Sequence, residues 1–346
     1  MKPLLDTLAA PAAPAVSTGP GPAPRVSVVV PTCCRPDLLR QCLGALSYQT
    51  LAPSDYEVLV VDDGPTEDCR RLVEDWAGRR RTPPVRYLAA GPQRGPATAR
   101  NLGWRLAQAE IVAFTDDDCL PTQDWLEQGL AAMAAPSVAA VCGRIRVPLG
   151  EDPTDYELNA AGLEAAPFAT ANCFYRKAAL EEAGGFDERY PLAWREDSDL
   201  HFALLERGRH CRSCEEAVVV HPVRTNPGWG VSLRQQRNNL SDALLYKKYP
   251  ALYRRLIRPL PAWRYYAIVA SLIAFPASAA AGAFGVAAGA FLIWLGLTLH
   301  FCAQRLRRTS RRPGHVWEML ATSALIPPLA LFWQWRGAIR YRVLFL

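Results

Sequence analysis

The sequence predicts an α/β protein with a mostly parallel β-sheet sandwiched by helices, followed by C-terminal transmembrane helices. Three observations predict it. Short β-branched runs alternate with helix-length segments between residues 26 and 143, two of these runs end in clusters of aspartates, and residues 265–304 contain no Lys, Arg, Asp or Glu. With 346 residues, of which 50% are hydrophobic, the chain can bury a large core.

The predicted strands are runs of six residues, most of them rich in valine. They are VSVVVP (26–31), EVLVVD (57–62), VRYLAA (85–90), EIVAFT (110–115) and VAAVCG (138–143), with helices predicted at 36–48, 66–77, 96–109 and 122–135. Such alternation predicts parallel strands joined by crossover helices. Ligands bind beyond the carboxyl ends of such strands, so the aspartate clusters are expected at a ligand site.

One cluster is TDDD, residues 115–118, at the end of a predicted strand. Because successive side chains on a strand point to opposite faces, we expect Asp116 and Asp118 to converge while Asp117 points away. Two carboxylates about 4–6 Å apart repel unless one is protonated or a cation lies between them. Mg²⁺ or Mn²⁺ shared with a substrate diphosphate resolves this repulsion; a solvated acidic turn that caps the next helix is the alternative.

Other polar residues follow the remaining strands. Asp63 directly follows the predicted strand 57–62, at a position where a carboxylate can accept hydrogen bonds from a nucleoside. Arg100 lies in RGPATARNLG and is interpreted either as a phosphate ligand or as a surface ion-pair partner. His221 follows an apolar run and is either a metal ligand or a structural histidine. The phosphate-binding patterns GxGxxG and GxxxxGK[ST] are absent, which argues against a nicotinamide enzyme or an NTPase.

These stretches, in this order, resemble the family 2 glycosyltransferases, which have the Rossmann-like nucleotide-diphospho-sugar transferase fold (A-type). The matching segments are VSVVVPTCCRPDLLRQCLGALSYQT (26–50), EVLVVDDGP (57–65), GPATARNLG (95–103), FTDDDCLP (114–121), FATANCFYRKAALEEAGGFDE (168–188) and REDSDL (195–200). The resemblance covers about residues 26–222. It departs at Cys33 and Cys34, where relatives carry an aromatic residue and an asparagine that contact the nucleoside.

The resemblance implies roles for individual residues. It makes Asp197 the general base, with direct displacement and inversion at the anomeric carbon. The implied metal ligands are Asp118, Asp116 and His221. The implied nucleotide and donor contacts are Pro31, Thr32, Arg35, Asp63, Arg100, Asp116 and Asp118, and the implied acceptor side consists of Glu196, Trp194 and Asn172.

The function implied is that of a metal-dependent, inverting glycosyltransferase (EC 2.4 class) with Mg²⁺ or Mn²⁺ as cofactor. Its donor is a nucleotide-diphospho-sugar, UDP-linked by default, with dTDP- and GDP-linked sugars open. The predicted membrane tail suggests a lipid-linked or envelope glycan as acceptor, and the shortness of this tail favours addition of a single sugar. Two alternatives are a catalytically inactive, membrane-anchored sugar-nucleotide-binding or scaffold protein, and a nucleotidyltransferase, for which no triphosphate signature is found.

The charge of the chain is divided unevenly. The net charge is +6, but residues 254–346 carry twelve arginines and one acidic residue, Glu318, so this tail has +11 and the remainder −5. A basic tail beside an apolar segment favours binding to a membrane surface over binding to nucleic acid. The ten cysteines follow no disulfide framework, which favours reduced thiols in the cytosol; a zinc or redox role for Cys211 and Cys214 is the alternative.

The predicted organisation has five parts. They are a disordered Ala/Pro-rich lead (1–24), a catalytic domain (25–245), a basic juxtamembrane segment (246–264), a transmembrane hairpin with a turn near Gly282 (265–304), and a basic loop with a third apolar segment (305–346). Arginines at both ends of the hairpin predict that both ends are cytoplasmic, with the catalytic domain facing the cytosol at the inner membrane. A buried soluble helix pair is the alternative. For residues 319–335 we favour an interfacial or re-entrant segment over a spanning one.

Overall fold

The computed structural model describes residues 23–79, 82–91, 95–224 and 228–346. Except for its last two residues, the predicted disordered lead, 1–24, lies outside the described residues.

The described residues form one eight-stranded sheet. Its strands are β1 (Val26–Thr32), β2 (Tyr56–Asp62), β3 (Val85–Ala89), β4 (Ile111–Phe114), β5 (Leu120–Pro121), β6 (Val138–Arg146), β7 (Cys173–Arg176) and β8 (His210–Val220). The order across the sheet is β3-β2-β1-β4-β7-β6-β8-β5. The pairs β1–β2, β1–β4 and β2–β3 are parallel, as predicted. Strand β7 is antiparallel to both β4 and β6, so the sheet is mixed beyond β4.

Ten helices flank this sheet or follow it within residues 36–256. They are α1 (Pro36–Ser47), α2 (Glu67–Ala77), α3 (Pro96–Leu106), α4 (Trp125–Ala132), α5 (Asp155–Ala161), α6 (Lys177–Ala183), α7 (Glu196–Glu206), α8 (Val231–Gln235), α9 (Asn239–Lys248) and α10 (Pro250–Leu256). The domain boundary proposed at residue 245 lies inside α9.

The core lies on both faces of the sheet. Side chains of β1 alternate between two clusters: Val28 and Val30 pack with α1 and α2, whereas Val29 packs with α3. Helix α3 approaches β1 closely because Gly103 faces Val29, where a Cβ atom would overlap the valine side chain. This close approach places the start of α3, with Arg100, at the carboxyl ends of the strands.

Three further helices complete the chain: α11 (Trp263–Ala280), α12 (Phe284–Arg305) and α13 (Pro313–Tyr341). Helices α11 and α12 are joined at Gly282, whose φ of +75° suits glycine. Two helical segments, Phe284–Arg308 and Pro313–Tyr341, are long and apolar enough to cross a membrane, judged by length and composition only. Helix α11 is not one of them, although the sequence predicted a span there; it has 18 residues and includes Arg264 and Pro276.

Candidate active site

One cavity lies beyond the carboxyl ends of β1, β2 and β4, and its volume is ≈ 300 Å³. All seven residues implied as nucleotide or donor contacts line it, together with His221. The full lining is Pro31, Thr32, Cys33, Arg35, Asp63, Pro96, Ala99, Arg100, Asp116, Asp118, Leu163, Ala193, His221 and Arg224. Because these residues follow the carboxyl ends of neighbouring strands, they meet in one cavity although they lie far apart in the chain.

The three consecutive aspartates occupy different environments. Asp116 and Asp118 line the cavity, whereas Asp117 is completely buried and does not. The hydroxyl of Thr32 donates to Asp117 Oδ2 at 2.6 Å, and Arg35 Nη2 lies 2.6 Å from Asp117 Oδ1. Burial raises the pKa of Asp117 to about 7, against the opposing charge of Arg35. Asp117 thus ties the ends of β1 and β4 together beneath the cavity.

Two arginines and a histidine surround Asp118. Arg224 donates to its Oδ2 from Nη2 at 2.7 Å and from Nε at 3.2 Å, and Arg35 Nη1 donates to the same oxygen at 3.3 Å. His221 Nε2 lies 3.5 Å from Oδ1. Burial by itself would raise the pKa of Asp118. The histidine and the two arginines outweigh it and bring the pKa below its ordinary value, so this carboxylate is ionised at neutral pH.

The donor atoms near Asp118 fit a divalent cation. Ligand atoms of Asp118, Cys119 and His221 all lie within 4.8 Å of one another. Burial raises the pKa of the Cys119 thiol well above its ordinary value, so the thiol stays protonated and is a poor ligand for a hard cation. The carboxylate of Asp118 and the imidazole of His221 remain as an oxygen and a nitrogen donor, a pair that suits Mg²⁺ or Mn²⁺. Asp116 is not in this group of ligand atoms; its Oδ1 is paired with Arg100 Nη2 at 2.9 Å.

The two aspartates at the end of β2, Asp62 and Asp63, also have different roles. Asp62 is fully buried and accepts hydrogen bonds from the backbone N–H groups of Gly64 and Thr66, both at 3.1 Å, and from the Tyr87 hydroxyl at 2.9 Å. It therefore shapes the loop. Asp63 lines the cavity, and its Oδ1 accepts from Gly95 N–H at 2.7 Å at the start of α3.

Arg100 connects the aspartate cluster to the first turn of α7. It is buried, and it donates from Nη2 to Asp116 Oδ1 and from Nη1 to Glu196 Oε1, each at 2.9 Å. Burial raises the pKa of Glu196 to about 7 even though Arg100 opposes the shift. Burial also raises the pKa of Asp197, whose Oδ1 accepts from Ser198 N–H at 2.6 Å. Asp197 does not itself line the cavity; Ala193 of the same segment does.

The turn that begins α7 is held by α9. Arg195, the residue before the helix, has φ +80°, an unusual value for a residue with a side chain. Its Nε donates to Asp242 Oδ1 at 2.7 Å, and its guanidinium lies 4.7 Å from the ring of Trp194. Trp194, implied on the acceptor side, is 39% exposed beside this turn. The Arg195–Asp242 pair thereby sets the position of Glu196 and Asp197.

Asn172, implied on the acceptor side, is not where an acceptor could reach it. It is fully buried, and its amide donates to the carbonyls of Arg144 at 2.9 Å and Ala217 at 2.8 Å. Its own carbonyl accepts from Trp125 Nε1 at 2.8 Å. These three side-chain hydrogen bonds hold β6, β8 and α4 together, so the amide of Asn172 has a structural role in the fold.

Two features of the cavity were missed in the sequence. Arg224 was not selected, although it follows His221 by three residues. Strand β5, directly after the aspartates, pairs with the end of β8 through Leu120 and Val220, which carries residues 221–224 to Asp118. The pairing of Arg35 with Asp117 was also not predicted; Asp117 was expected only to point away from Asp116 and Asp118.

Known proteins resemble the chain in sequence and in fold. The family "Glycosyl transferase family 2" matches residues 27–185, and "Glycosyl transferase family group 2" matches residues 111–335. Glycosyltransferase AglE of Haloferax volcanii is 27% identical over 212 residues, which are 58% of this chain and 68% of the relative. Pre-mycofactocin glycosyltransferase of Mycobacterium tuberculosis is 33% identical over 223 residues, 59% of this chain but only 44% of the relative.

A solved structure supports the fold. The mannosyltransferase PcManGT from Pyrobaculum calidifontis, in complex with GDP-Man and Mn²⁺, superposes with a TM-score of 0.59 at 23% identity, covering 90% of this chain and 88% of that one. At this identity the likeness concerns the fold, which is of the A-type predicted from the sequence. The two family matches together span the sheet, the cavity and the C-terminal helices. The chain therefore belongs to the family 2 glycosyltransferases, enzymes of the EC 2.4 class.

Proposed function

We propose that this chain is a metal-dependent, inverting glycosyltransferase that moves a sugar from a nucleotide-diphosphate donor to a hydroxyl group. One observation carries the proposal. Asp63, Arg100, Asp116 and Asp118 line a single cavity at the strand ends, with His221 beside Asp118. The binding of GDP-Man and Mn²⁺ by PcManGT, which has this fold, supports a nucleotide-sugar donor and a divalent cation here.

The donor is bound between acidic and basic side chains. Asp63, at the end of β2, accepts hydrogen bonds from the nucleoside, and Pro31 and Thr32 line the same part of the cavity. Arg35 and Arg224, which contact Asp118, carry guanidinium groups that match phosphate oxygens. Cys33, in place of the aromatic residue of relatives, leaves the nucleoside without a stacking partner at this position.

Asp118, Asp116 and His221 would hold the divalent cation. When bound, it stabilises the negative charge that develops on the departing nucleoside diphosphate. Arg100 fixes the position of Asp116 by donating to its Oδ1 from a buried site.

Asp197 accepts the proton of the attacking hydroxyl. Burial raises its pKa, which makes its carboxylate a stronger base than an exposed aspartate. Ser198 N–H, at 2.6 Å, holds one of its oxygens in place. Attack from the side opposite the diphosphate inverts the anomeric carbon.

The C-terminal helices suggest the acceptor and the location. A domain tied to apolar helices works beside a bilayer, which favours a lipid-linked or envelope glycan as acceptor. We place the catalytic domain, residues 25–245, on the cytosolic side of the inner membrane, where nucleotide sugars are found. We further propose addition of a single sugar, with UDP-sugars as the first donors to test and GDP- and dTDP-sugars next.

The test uses the purified full chain in detergent with each labelled nucleotide sugar, a membrane lipid extract and Mn²⁺. We expect release of nucleoside diphosphate and a labelled lipid product, both abolished by EDTA. Full activity in EDTA would contradict the proposal that transfer requires a divalent cation. Binding of nucleotide sugar without turnover of any donor would favour the inactive sugar-nucleotide-binding or scaffold protein instead.

A further inference from the structure

Helix α13 has two distinct faces. Its exposed apolar residues recur at intervals of three, four or seven and, at 3.6 residues per turn, fall within an arc of about 100°. These residues, called the outer stripe below, are Trp317, Ala321, Leu325, Phe332, Trp335 and Ile339. The opposite face is buried against the rest of the chain; its members are Met319, Thr322, Ser323, Ile326, Pro327, Ala330, Leu331, Gln334 and Gly337.

The first turns of α13 contact the catalytic domain. His315 Nε2 accepts from the backbone N–H of Asp155, at the start of α5, at 3.4 Å. Glu318 Oε1 accepts from the N–H of Gly230, just before α8, at 2.8 Å. Immediately before the helix, Ser310 donates to Asp152 Oδ2 at 2.8 Å. The beginning of α13 is therefore on the same side of any membrane as α5.

The end of α13 also contacts the catalytic domain. Lys247 Nζ, in α9, donates to the carbonyl of Tyr341 at 2.7 Å. Gly337 faces the backbone of Leu240 so closely that a Cβ atom would overlap it. Beyond the helix, Phe345 is 1% exposed and packs against Tyr253, with their ring centroids 5.3 Å apart. The end of α13 is therefore on the same side as α9.

These two sets of contacts exclude a spanning orientation. A helix of 29 residues is about 44 Å long, and the hydrocarbon core of a bilayer is about 30 Å thick. If α13 crossed the bilayer, one of its ends would lie on the far side, away from either α5 or α9. Helix α5 and the first seven residues of α9 lie within the proposed catalytic domain, 25–245, so the contacts could not all be kept.

The hairpin of α11 and α12 emerges from the side of α13. Arg305, at the end of α12, donates to the hydroxyls of Thr322 at 2.8 Å and Ser323 at 3.0 Å. Near the start of α11, the Tyr266 hydroxyl is 3.1 Å from Gln334 Nε2. The two ends of the hairpin thus contact α13 at points twelve residues apart, and α13 lies across its base.

We propose that α13 lies in the plane of the membrane surface, with the outer stripe inserted at the boundary between headgroups and acyl chains. The occupant of this face is the lipid bilayer. The stripe continues the apolar surface of the hairpin, and tryptophans such as Trp317 and Trp335 favour the interfacial depth. Arg336 and Arg340 are exposed at the edge of the stripe, which suits anionic headgroups. The orientation of α13 follows from these contacts and is independent of which sugar donor the protein uses.

The first test places epitope tags before residue 23, in the Gly282 turn and after residue 346 of the full chain, and measures antibody access in sealed vesicles of one orientation. We expect the two terminal tags on the same side and the turn tag on the other. A tag after residue 346 on the side opposite the N-terminal tag would show that α13 spans and would overturn the proposal. A turn tag on the same side as both terminal tags would make α12 and α13 the spanning pair and would overturn it as well.

The second test incorporates the photoreactive amino acid benzoylphenylalanine at Leu325 or Ile339 in the full chain, reconstituted in nanodiscs that contain phosphatidylglycerol. Tyr48, 74% exposed on the catalytic domain, is the matched control. We expect lipid adducts at both stripe positions and none at Tyr48. Cross-links to a second copy of the chain instead of lipid, or the absence of adducts at both stripe positions, would overturn the proposal.

Discussion

Arg100 and Glu196 form a buried ion pair, with 2.9 Å between Nη1 and Oε1, although 96 positions separate them in the chain. The second terminal nitrogen of the same guanidinium contacts Asp116. One side chain thus couples the proposed metal site to the turn that carries the proposed base. A change at Arg100 should therefore disturb both halves of the site and the stability of the domain.

Substitution of Arg100 by alanine should be strongly destabilising. Removing one member of a buried ion pair leaves an uncompensated charge and costs about 3–5 kcal/mol in the free energy of unfolding. Chemical denaturation of the purified chain measures this cost. The control is Arg71→Ala, which removes an ion pair with Glu67 whose side chains are 70% and 60% exposed, and should cost at most about 1 kcal/mol. Equal effects of the two substitutions would show that the Arg100 pair is not important for stability.

Neighbouring aspartates should respond differently to the same change. Asp118→Asn removes a carboxylate that would bind the metal directly. Loss of an outer-shell partner typically weakens metal binding by roughly 10–100-fold. The loss of Asp118 should weaken Mn²⁺ binding, measured with nucleoside diphosphate present, by more than that. Asp117→Asn keeps one acceptor oxygen for Thr32 but loses the ion pair with Arg35; because it removes no cavity-lining oxygen, binding should weaken far less than in Asp118→Asn. Titration of Mn²⁺ by electron paramagnetic resonance measures both. An equal loss in Asp117→Asn would contradict the separation of roles.

The stability of the domain should decrease on acidification because of His201. This side chain stacks on Phe168 with ring centroids 4.0 Å apart, and burial lowers its pKa to about 4 from an ordinary value of 6.5. The folded state keeps the imidazole neutral, whereas the unfolded chain binds a proton below pH 6.5. The unfolded state therefore binds more protons between pH 6.5 and 4, and stability falls through this window by up to about 3 kcal/mol.

The variant His201→Phe keeps an aromatic partner for Phe168 and removes the titrating group. Denaturation at pH 7 and at pH 5 should then show a smaller loss of stability for the variant than for the unmodified chain. The matched change His210→Phe, at an exposed position, should leave the pH dependence intact. An unchanged pH dependence in His201→Phe would show that His201 does not cause it.

Much of the fold could be predicted because its strands are continuous valine-rich runs. Four of the five predicted strands agree with the structure within one residue at each end, and the fifth, starting at Val138, is longer than predicted. The antiparallel β7 was not predicted, since its four residues, Cys173–Arg176, give no periodic signal. Helix α13 runs without interruption through Pro327 and Pro328.

The donor side of the cavity was also predictable, because the carboxyl ends of parallel strands meet at one edge. Asp63 and Asp116 reach the cavity by this rule alone. Arg224 reaches it only through the short pairing of β5 with β8, which depends on contacts between distant segments. The buried position of Asn172 was not predicted, because an amide that bonds three groups inside the fold has no signature in a single sequence.

The most direct test of glycosyl transfer at this site is the turnover of Asp197→Asn. General base catalysis contributes about 10²–10⁴-fold, so release of nucleoside diphosphate from bound donor should slow by at least that factor. Donor affinity should be unchanged, since Asp197 does not line the donor cavity. Asp68→Asn, the same change at an exposed position, should match the unmodified chain in both measurements. Normal turnover by Asp197→Asn would contradict the account.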